Sequence, residues 1–205
     1  MMSFYDFAKR IVQGYFLLFF RYKVRGIENI PQEGSALLCA NHISNRDPLL
    51  VGVTSSRKVH FMAKQELFRL PIIKQLLPHV GAFPVNRDAV GASTIKTTLK
   101  LLKSGHVIGI FPEGHRSKTE DLQEMKAGAA FFALKSRSML VPVGIIGPYR
   151  LFKPVYVHFG PAIDVDAFIT EHEDLDGKEQ LHLLTELLSQ RIDALIHGGV
   201  GVDKE

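Results

Sequence analysis

The chain has 205 residues, of which 46% are hydrophobic and 22% charged; this composition excludes a disordered or fibrous protein and predicts one sizeable globular domain. Its formal net charge of +4 suits an anionic partner, such as a phosphorylated substrate, a membrane surface or a nucleic acid. The single cysteine, Cys39, excludes an internal disulfide and favours a reducing, cytosol-facing setting.

Residues 1–23 are predicted to form an amphipathic and hydrophobic helix that is separate from the rest of the chain. Residues 11–20 carry no charge and would span about 15 Å as a helix, which is half the hydrocarbon thickness of a bilayer. The helix is therefore too short to cross a membrane. Its aromatic residues and basic flanks indicate a helix lying in a membrane interface, and the alternative is a helix packed on the domain core.

From residue 24 to 205, short apolar runs alternate with amphipathic runs at helical spacing. This alternation predicts one α/β domain with a largely parallel central sheet flanked by helices. Asp88 and Gly105 are expected to cap one of the helices, and residues 171–179 read as an acidic loop. Strands are predicted at 35–41, 58–64, 80–85, 106–112, 139–147 and 153–163, and helices at 47–55, 65–77, 88–105, 123–137 and 178–198, of which the one at 65–77 is interrupted by Pro71.

The stretch NHISNRDP, residues 41–48, places a histidine at a predicted strand exit and an aspartate shortly after it. Positions five apart on an α-helix point about 140° away from each other, so His42 and Asp47 cannot pair within one helix. Asp47 followed by Pro48 is typical of a helix start, and a tight turn before it could fold Asp47 back to His42. Catalytic groups gather at such strand ends, although an ordinary polar histidine and an ordinary helix cap remain the alternative.

Two other segments have features of a binding cleft. In GAFPVNRD, residues 81–88, Arg87 follows an apolar strand, and its guanidinium is suited to holding a phosphate through two hydrogen bonds. In LVPVGIIGP, residues 140–148, Pro142 interrupts an apolar strand and predicts an edge strand or an altered strand end.

The segment FPEGHRSK, residues 111–118, predicts a sharp loop at another strand end. Gly114 would let the backbone approach a ligand closely, while Arg116 and Ser117 supply donors for an anion. Glu113 could orient those cations or accept a hydrogen bond from a substrate hydroxyl. Each feature also has an ordinary structural interpretation, as a solvated arginine or a simple loop.

Together these segments resemble, in order, the four sequence blocks of the glycerolipid acyltransferases, the lysophosphatidic acid acyltransferase family. NHISNRD matches the NHx4D block, FPEGHRS closely matches FPEGxRS, and GAFPVNR and LVPVGI resemble the second and fourth blocks. The resemblance covers about residues 24–162. The chain departs from it at Pro84, where the family more often has an aromatic or aliphatic residue, and at Gly144 and Ile145, where many members carry a further proline.

The resemblance implies transfer of a fatty acyl group from an acyl-carrier protein or coenzyme A thioester to the free hydroxyl of 1-acyl-glycerol 3-phosphate, giving phosphatidic acid. A general base must remove the hydroxyl proton, and the ordinary pKa of histidine, near neutral pH, suits that task. His42 would be this base, and Asp47 would orient its imidazole and stabilise the imidazolium. No serine nucleophile, metal or further cofactor is implied, so the acyl group is expected to move directly.

The resemblance also implies a clamp for the acceptor phosphate. Arg87, Arg116 and Ser117 are its expected ligands, with Lys64 at another strand end, where similar members often have a lysine. Because a lysophospholipid resides in a bilayer, the N-terminal helix is expected to hold the enzyme at the cytoplasmic face of the cell membrane, as a monotopic or peripheral protein.

Several other functions stay open at this point. The acceptor could be another lysophospholipid or glycerol 3-phosphate, and water at the same base would make a thioester hydrolase. A non-catalytic lipid-binding module would not need the His/Asp pair. A metal-dependent phosphoesterase fits poorly, because the nine histidines show no HExxH or His-x-His spacing. Nucleic-acid binding also fits poorly, because the basic residues are scattered and the aromatic residues concentrate at the N-terminus.

Overall fold

A computed structural model describes residues 3–85, 91–116 and 122–198 of the chain. Within these residues, strands alternate with helices along most of the chain, as the sequence predicts. The strands are β1 (Lys23–Arg25), β2 (Ala36–Ala40), β3 (Val59–Lys64), β4 (Phe83–Val85), β5 (Val107–Ile110), β6 (Met139–Ile146) and β7 (Tyr156–Phe159). The helices are α1 (Phe4–Phe20), α2 (Asp47–Thr54), α3 (Pro71–His79), α4 (Ala92–Lys103), α5 (Gly128–Ser136), α6 (Val165–Glu171) and α7 (Gly177–His197).

The strands form one seven-stranded sheet in the order β1-β7-β6-β2-β5-β3-β4. Every neighbouring pair is parallel except β6 and β7, which confirms the predicted α/β fold with a mostly parallel sheet. The central strand β2 is apolar and buried along its whole length, as expected for a strand covered on both faces. Since β2, β3 and β5 are parallel, their carboxyl ends meet at one edge, where His42, Lys64 and Glu113 are found.

The prediction that Pro142 marks an edge strand is wrong, because β6 lies between β2 and β7 in the sheet. Pro142 lacks the N–H that a ladder requires, and it sits where the β7 ladder is interrupted. The ladder stops at Phe159, the Gly160 amide donates to the Pro142 carbonyl, and pairing resumes only at the isolated bridge between Leu140 and Ile163. The proline therefore occupies a gap inside the sheet.

The predicted helix at 65–77 is interrupted at Pro71, as expected. A 3₁₀ turn over Gln65–Arg69 is followed by α3, because Pro71 favours a new helix start and restricts the residue before it. The predicted helix at 123–137 has a different limit and begins only at Gly128. The amide of Lys126 donates to the Pro112 carbonyl, so the preceding residues lie along the loop after β5.

The two predicted caps of α4 and the predicted acidic loop can be compared with the structure. Gly105 follows α4 with a φ of +77°, which confirms the expected C-terminal glycine. Asp88, the expected cap at the other end, lies outside the described residues. The predicted acidic loop at 171–179 contains the end of α6 and the start of α7, where the Asp176 carboxylate accepts from the Glu179 amide.

Helix α1 packs one of its faces on the domain. Phe16 and Phe20 are buried in the core beneath it. The Lys9 ammonium donates to the Ser55 carbonyl at 2.7 Å, and the Gln13 amide donates to the Val53 carbonyl at 3.0 Å. These two contacts satisfy carbonyls at the end of α2 that have no partner within that helix, so they attach α1 to α2.

The opposite side of α1 is an exposed apolar face, formed by Phe7, Ile11, Leu17 and Leu18, whose exposed fractions lie between 50% and 64%. The helix therefore packs on the domain core, which was the alternative prediction. It also has the exposed apolar surface that a helix in a membrane interface requires. No helix in the described parts of the chain is long and apolar enough to cross a membrane. A role for α1 at a membrane interface stays a prediction.

Candidate active site

His42 and Asp47 are in contact beyond the carboxyl end of β2. The His42 Nδ1 atom lies 2.8 Å from the Asp47 Oδ2 atom, and their residues are 7% and 0% exposed. A turn closed by the hydrogen bond from the Asp47 amide to the Ser44 carbonyl brings the carboxylate back to the ring. Because a carboxylate only accepts, the imidazole donates from Nδ1, which leaves Nε2 with the lone pair that a general base needs.

The Asp47 carboxylate does not cap α2, contrary to the predicted helix cap. The position before the helix is occupied by Arg46, which makes no side-chain capping bond. Instead, Oδ2 accepts from the Ile43 and Ser44 amides at 2.7 Å each, in addition to His42, and Oδ1 accepts from the Tyr149 hydroxyl at 2.7 Å. The carboxylate faces the preceding turn and Tyr149, whose donors bind both of its oxygens, and not the amides of α2.

An aromatic stack supports the imidazole from the side of the sheet. The His42 ring lies 4.3 Å from the Phe111 ring at an interplanar angle of 25°, and the Phe111 ring is stacked 6.2 Å from that of Phe61. The Phe61 ring occupies the space beside Gly109, where an added Cβ would lie 2.1 Å from the ring. The absence of a side chain at Gly109 therefore leaves room for the Phe61 ring and for the aromatic stack above it.

Replacing Gly109 with alanine is expected to lower the free energy of unfolding by about 1–3 kcal/mol, because overpacking must displace the Phe61 ring. The displaced Phe61 ring should in turn shift Phe111 and the His42 ring stacked on it. Urea unfolding measures the change in stability. Gly14→Ala is the matched control, because a Cβ there meets open space and a helical alanine is favourable. Equal unfolding curves for Gly109→Ala and the unmodified protein would contradict this account of the stack.

Glu113 is buried beneath the site. Its Oε1 atom accepts from the His42 amide at 2.7 Å, and its Oε2 atom accepts from the Gln123 amide at 3.3 Å. Burial raises the pKa of Glu113, and the two amide hydrogen bonds partly oppose that rise. The carboxylate thus connects the loop after β5 to the backbone of the candidate base. The predicted contacts of Glu113 with cations or a substrate hydroxyl stay predictions.

Gly114 adopts the conformation that its loop requires. Its φ is +74°, and its amide donates to the Phe111 carbonyl at 3.0 Å. A Cβ at this position would lie 3.0 Å from the Nζ atom of Lys126. No local pattern in the sequence connects Lys126 with Gly114, so this proximity was not predicted. Close approach of the Gly114 backbone to a ligand stays a prediction.

A cavity of about 680 Å³ joins the candidate base to two of the predicted phosphate ligands. His42, Lys64 and Arg116 all line it, although Lys64 and Arg116 come from different strand ends. The other predicted ligands, Arg87 and Ser117, lie outside the described residues. Most of the remaining wall is apolar and comes from α1, α2, β3 and α3, with Ala8, Val12, Leu49, Val53, Met62 and Leu77 among its residues.

Other reactive groups are poorly placed for chemistry in this cavity. Cys39 is fully buried in β2, and burial raises the pKa of its thiol, which disfavours a thiolate nucleophile. Across residues 3–85, 91–116 and 122–198, no three His, Cys, Asp or Glu side chains come together in a group that could hold a metal ion. His42, held by Asp47, is the candidate base that lines this cavity.

Comparisons with known proteins found relatives of this chain in sequence and in fold. Residues 21–146 match the sequence model of the family described as Acyltransferase. The chain is 37% identical over 177 residues to the 1-acyl-sn-glycerol-3-phosphate acyltransferase of Bacillus subtilis (strain 168), covering 84% of this chain and 87% of that protein. It is 33% identical to the Borreliella burgdorferi protein of the same name, covering 69% of this chain and 61% of that one. The crystal structure of the 1-acyl-sn-glycerophosphate (LPA) acyltransferase from Thermotoga maritima has the same fold, with a TM-score of 0.75 at 22% identity, covering 96% of this chain and 81% of that one.

Proposed function

Because this chain belongs to the acyltransferase family that includes the 1-acyl-sn-glycerol-3-phosphate acyltransferases, we propose that it transfers a fatty acyl group from an acyl thioester to the free hydroxyl of 1-acyl-glycerol 3-phosphate. The product would be phosphatidic acid. The observation that carries this proposal is the single cavity that combines the His42 imidazole, two cations and a long apolar wall. The imidazole would act on the reacting hydroxyl, the two cations would bind the phosphate, and the apolar wall would hold the acyl chain.

In the proposed reaction, His42 Nε2 removes the proton from the acceptor hydroxyl as its oxygen attacks the thioester carbonyl. The C–S bond then breaks, and the imidazolium returns the proton to the departing thiolate. Asp47 holds the imidazole through Nδ1 and stabilises its cation while the proton is on the ring. A base placed in this way contributes about 10²–10⁴-fold to the rate. No acyl-enzyme forms, because the hydroxyl attacks the thioester directly.

The acceptor phosphate would be held by the cations of the cavity. Arg116 and Lys64 line the same cavity as His42, and both are exposed cations that a phosphate dianion would neutralise. Arg87 and Ser117 are proposed as further ligands on the basis of the family's sequence blocks. The apolar walls from α1 and α2 would receive the fatty acyl chain, since ligand cavities of this size are typically lined by apolar side chains.

The proposed acyl donor is a thioester of acyl-carrier protein or coenzyme A, which acts as a co-substrate, and no other cofactor is proposed. Residues 1–23 are proposed as a membrane-interface segment attached to an acyltransferase domain at 24–205. The exposed apolar face of α1 supports this assignment, because such a face gains free energy by entering the headgroup region of a bilayer. The proposed location is the cytoplasmic face of the cell membrane.

The proposal is tested by incubating purified protein with each donor and with 1-acyl-glycerol 3-phosphate, glycerol 3-phosphate, lysophosphatidylcholine or monoacylglycerol, and identifying products by mass spectrometry. Phosphatidic acid from the first acceptor is the expected product. Release of free fatty acid without a diacyl product would instead identify a thioester hydrolase. Transfer to monoacylglycerol alone would overturn the phosphate clamp.

Arg116→Gln is expected to raise KM for 1-acyl-glycerol 3-phosphate about 10–100-fold, because a charged hydrogen bond to the phosphate is lost. KM for an acceptor without phosphate should stay the same. Arg137→Gln is the matched control, since Arg137 lies in an exposed surface pair with Asp166. An unchanged KM for the phosphorylated acceptor in Arg116→Gln would contradict the role assigned to Arg116.

A further inference from the structure

Tyr149 lies against the candidate catalytic pair although it follows β6, far along the chain. Its hydroxyl donates to the Asp47 Oδ1 atom at 2.7 Å. Burial and the neighbouring Asp47 carboxylate raise the pKa of the Tyr149 hydroxyl, so the hydroxyl stays protonated and remains a donor. None of the four sequence blocks includes this tyrosine, and its distance from Asp47 along the chain gave no local signal of the contact.

The four hydrogen bonds to Asp47 are divided unequally between its oxygens. Oδ2 accepts from the His42 ring and from the Ile43 and Ser44 amides. In the described part of the chain, Oδ1 accepts from the Tyr149 hydroxyl alone. Since Asp47 is fully buried, this hydroxyl is what satisfies the second oxygen and fixes the rotation of the carboxylate about its Cβ–Cγ bond.

We propose that Tyr149 is a positioning residue that holds the Asp47 carboxylate and, through it, sets the orientation and proton affinity of the His42 imidazole. This inference rests on the proposed function for its effect on the rate. The three side chains form a continuous hydrogen-bonded chain, Tyr149 to Asp47 to His42, of which only the last member faces the reacting atoms. Tyr149 therefore acts on catalysis without touching the substrate.

The position of Tyr149 is set in turn by the end of α1. Its ring packs edge-on against Phe20 with centroids 5.8 Å apart, and the Arg46 guanidinium lies over the Phe20 ring, 5.4 Å from its centroid. The Arg46 Nε atom also donates to the Tyr15 hydroxyl at 3.2 Å. Helix α1 therefore packs against both Tyr149 and the turn that carries the catalytic pair.

Removing the hydroxyl in Tyr149→Phe leaves the ring packing intact and deprives Asp47 of one donor. A carboxylate with fewer donors attracts the imidazolium more strongly, so His42 holds its proton to higher pH. Because the base must be neutral to act, the acid limb of the kcat/KM profile should move to higher pH. A freer carboxylate also orients the ring less well, so kcat should fall about tenfold with KM changed less than about twofold.

The experiment compares Tyr149→Phe with Tyr22→Phe, which removes a hydroxyl from the same aromatic cluster without touching Asp47. Steady-state kinetics across pH are measured for the full chain with 1-acyl-glycerol 3-phosphate. The His42 ring is followed by NMR titration, with its signal assigned from the spectrum of His42→Ala. The expected result is a lower kcat and an upward shift of both the acid limb and the NMR midpoint in Tyr149→Phe only.

A double-mutant cycle tests whether Tyr149 acts through Asp47. In an Asp47→Asn background, Tyr149→Phe should no longer move the NMR midpoint of His42. An unchanged midpoint in Tyr149→Phe alone, or equal effects in Tyr149→Phe and Tyr22→Phe, would overturn the proposal. If the unmodified protein makes no phosphatidic acid but Tyr149→Phe still moves the midpoint, the proposed function fails while the positioning role stands.

Discussion

Replacing His42 with alanine is expected to lower kcat for acyl transfer by about 10²–10⁴-fold, the usual contribution of a positioned general base. The imidazole is held at Nδ1 by Asp47 and on its face by Phe111, and His42 lines the cavity proposed to bind the substrates. Alanine retains none of these contacts and leaves no other base in the same position. Acceptor KM should change little, because the proposed phosphate ligands remain.

The matched control for this variant is His182→Ala, because His182 is an exposed residue of α7 in a surface pair with Glu186. Both variants are assayed for transfer and for sedimentation with vesicles containing 1-acyl-glycerol 3-phosphate. Loss of transfer with retained vesicle binding would separate an enzyme from a lipid-binding module. Full transfer by His42→Ala would remove His42 from the mechanism.

Replacing Asp47 with asparagine is expected to reduce kcat by about 10³–10⁴-fold while the protein still folds. The amide oxygen can take the place of Oδ2 and accept from His42 and the Ile43 and Ser44 amides, and the amide nitrogen can donate to the Tyr149 oxygen. The hydrogen bonds are thus conserved, but the negative charge that stabilises the imidazolium is lost. The rate should fall because of charge, not geometry.

Asp47→Ala provides the contrast for this prediction. It leaves the His42 ring and two backbone amides without their buried acceptor, and each such loss costs about 1–3 kcal/mol. Thermal unfolding should therefore show a large loss of stability for Asp47→Ala and a small change for Asp47→Asn. Asp166→Asn is the surface control. Near-normal transfer by folded Asp47→Asn would show that the carboxylate charge has no part in the reaction.

Local signals in the sequence predicted the parts of the site that are close together along the chain. The Asp47-Pro48 helix start required a turn, and that turn accounts for the contact between His42 and Asp47. By contrast, Glu113 reaches the His42 amide across 71 positions, and Tyr149 reaches Asp47 across 102. No periodicity or capping rule encodes such pairings, because they arise from which strands become neighbours in the sheet.

The predictions about the fold were likewise correct where they depended on local residues and incorrect where they depended on which strands are neighbours. Alternating apolar and amphipathic runs predicted most of the strands and helices, although not β1 or α6, because each element depends on its own residues. Of the two alternatives predicted for Pro142, the edge strand is wrong, because a proline reports on its own ladder and not on the order of the strands. The rule that a proline interrupts a ladder holds, but the antiparallel return of β7 places that interruption inside the sheet.

The pairing of β1 with β7 has a consequence for the order in which the protein can fold during synthesis. Lys23 pairs with Tyr156, and the Asn29 side chain donates to the Phe159 carbonyl, so the first strand needs a partner that lies roughly 130 residues further on. At about 5–20 residues per second, a ribosome takes roughly 7–27 s to make that interval. Throughout this time β1 has no place in the sheet, and a nascent chain that stops before β7 leaves it unpaired.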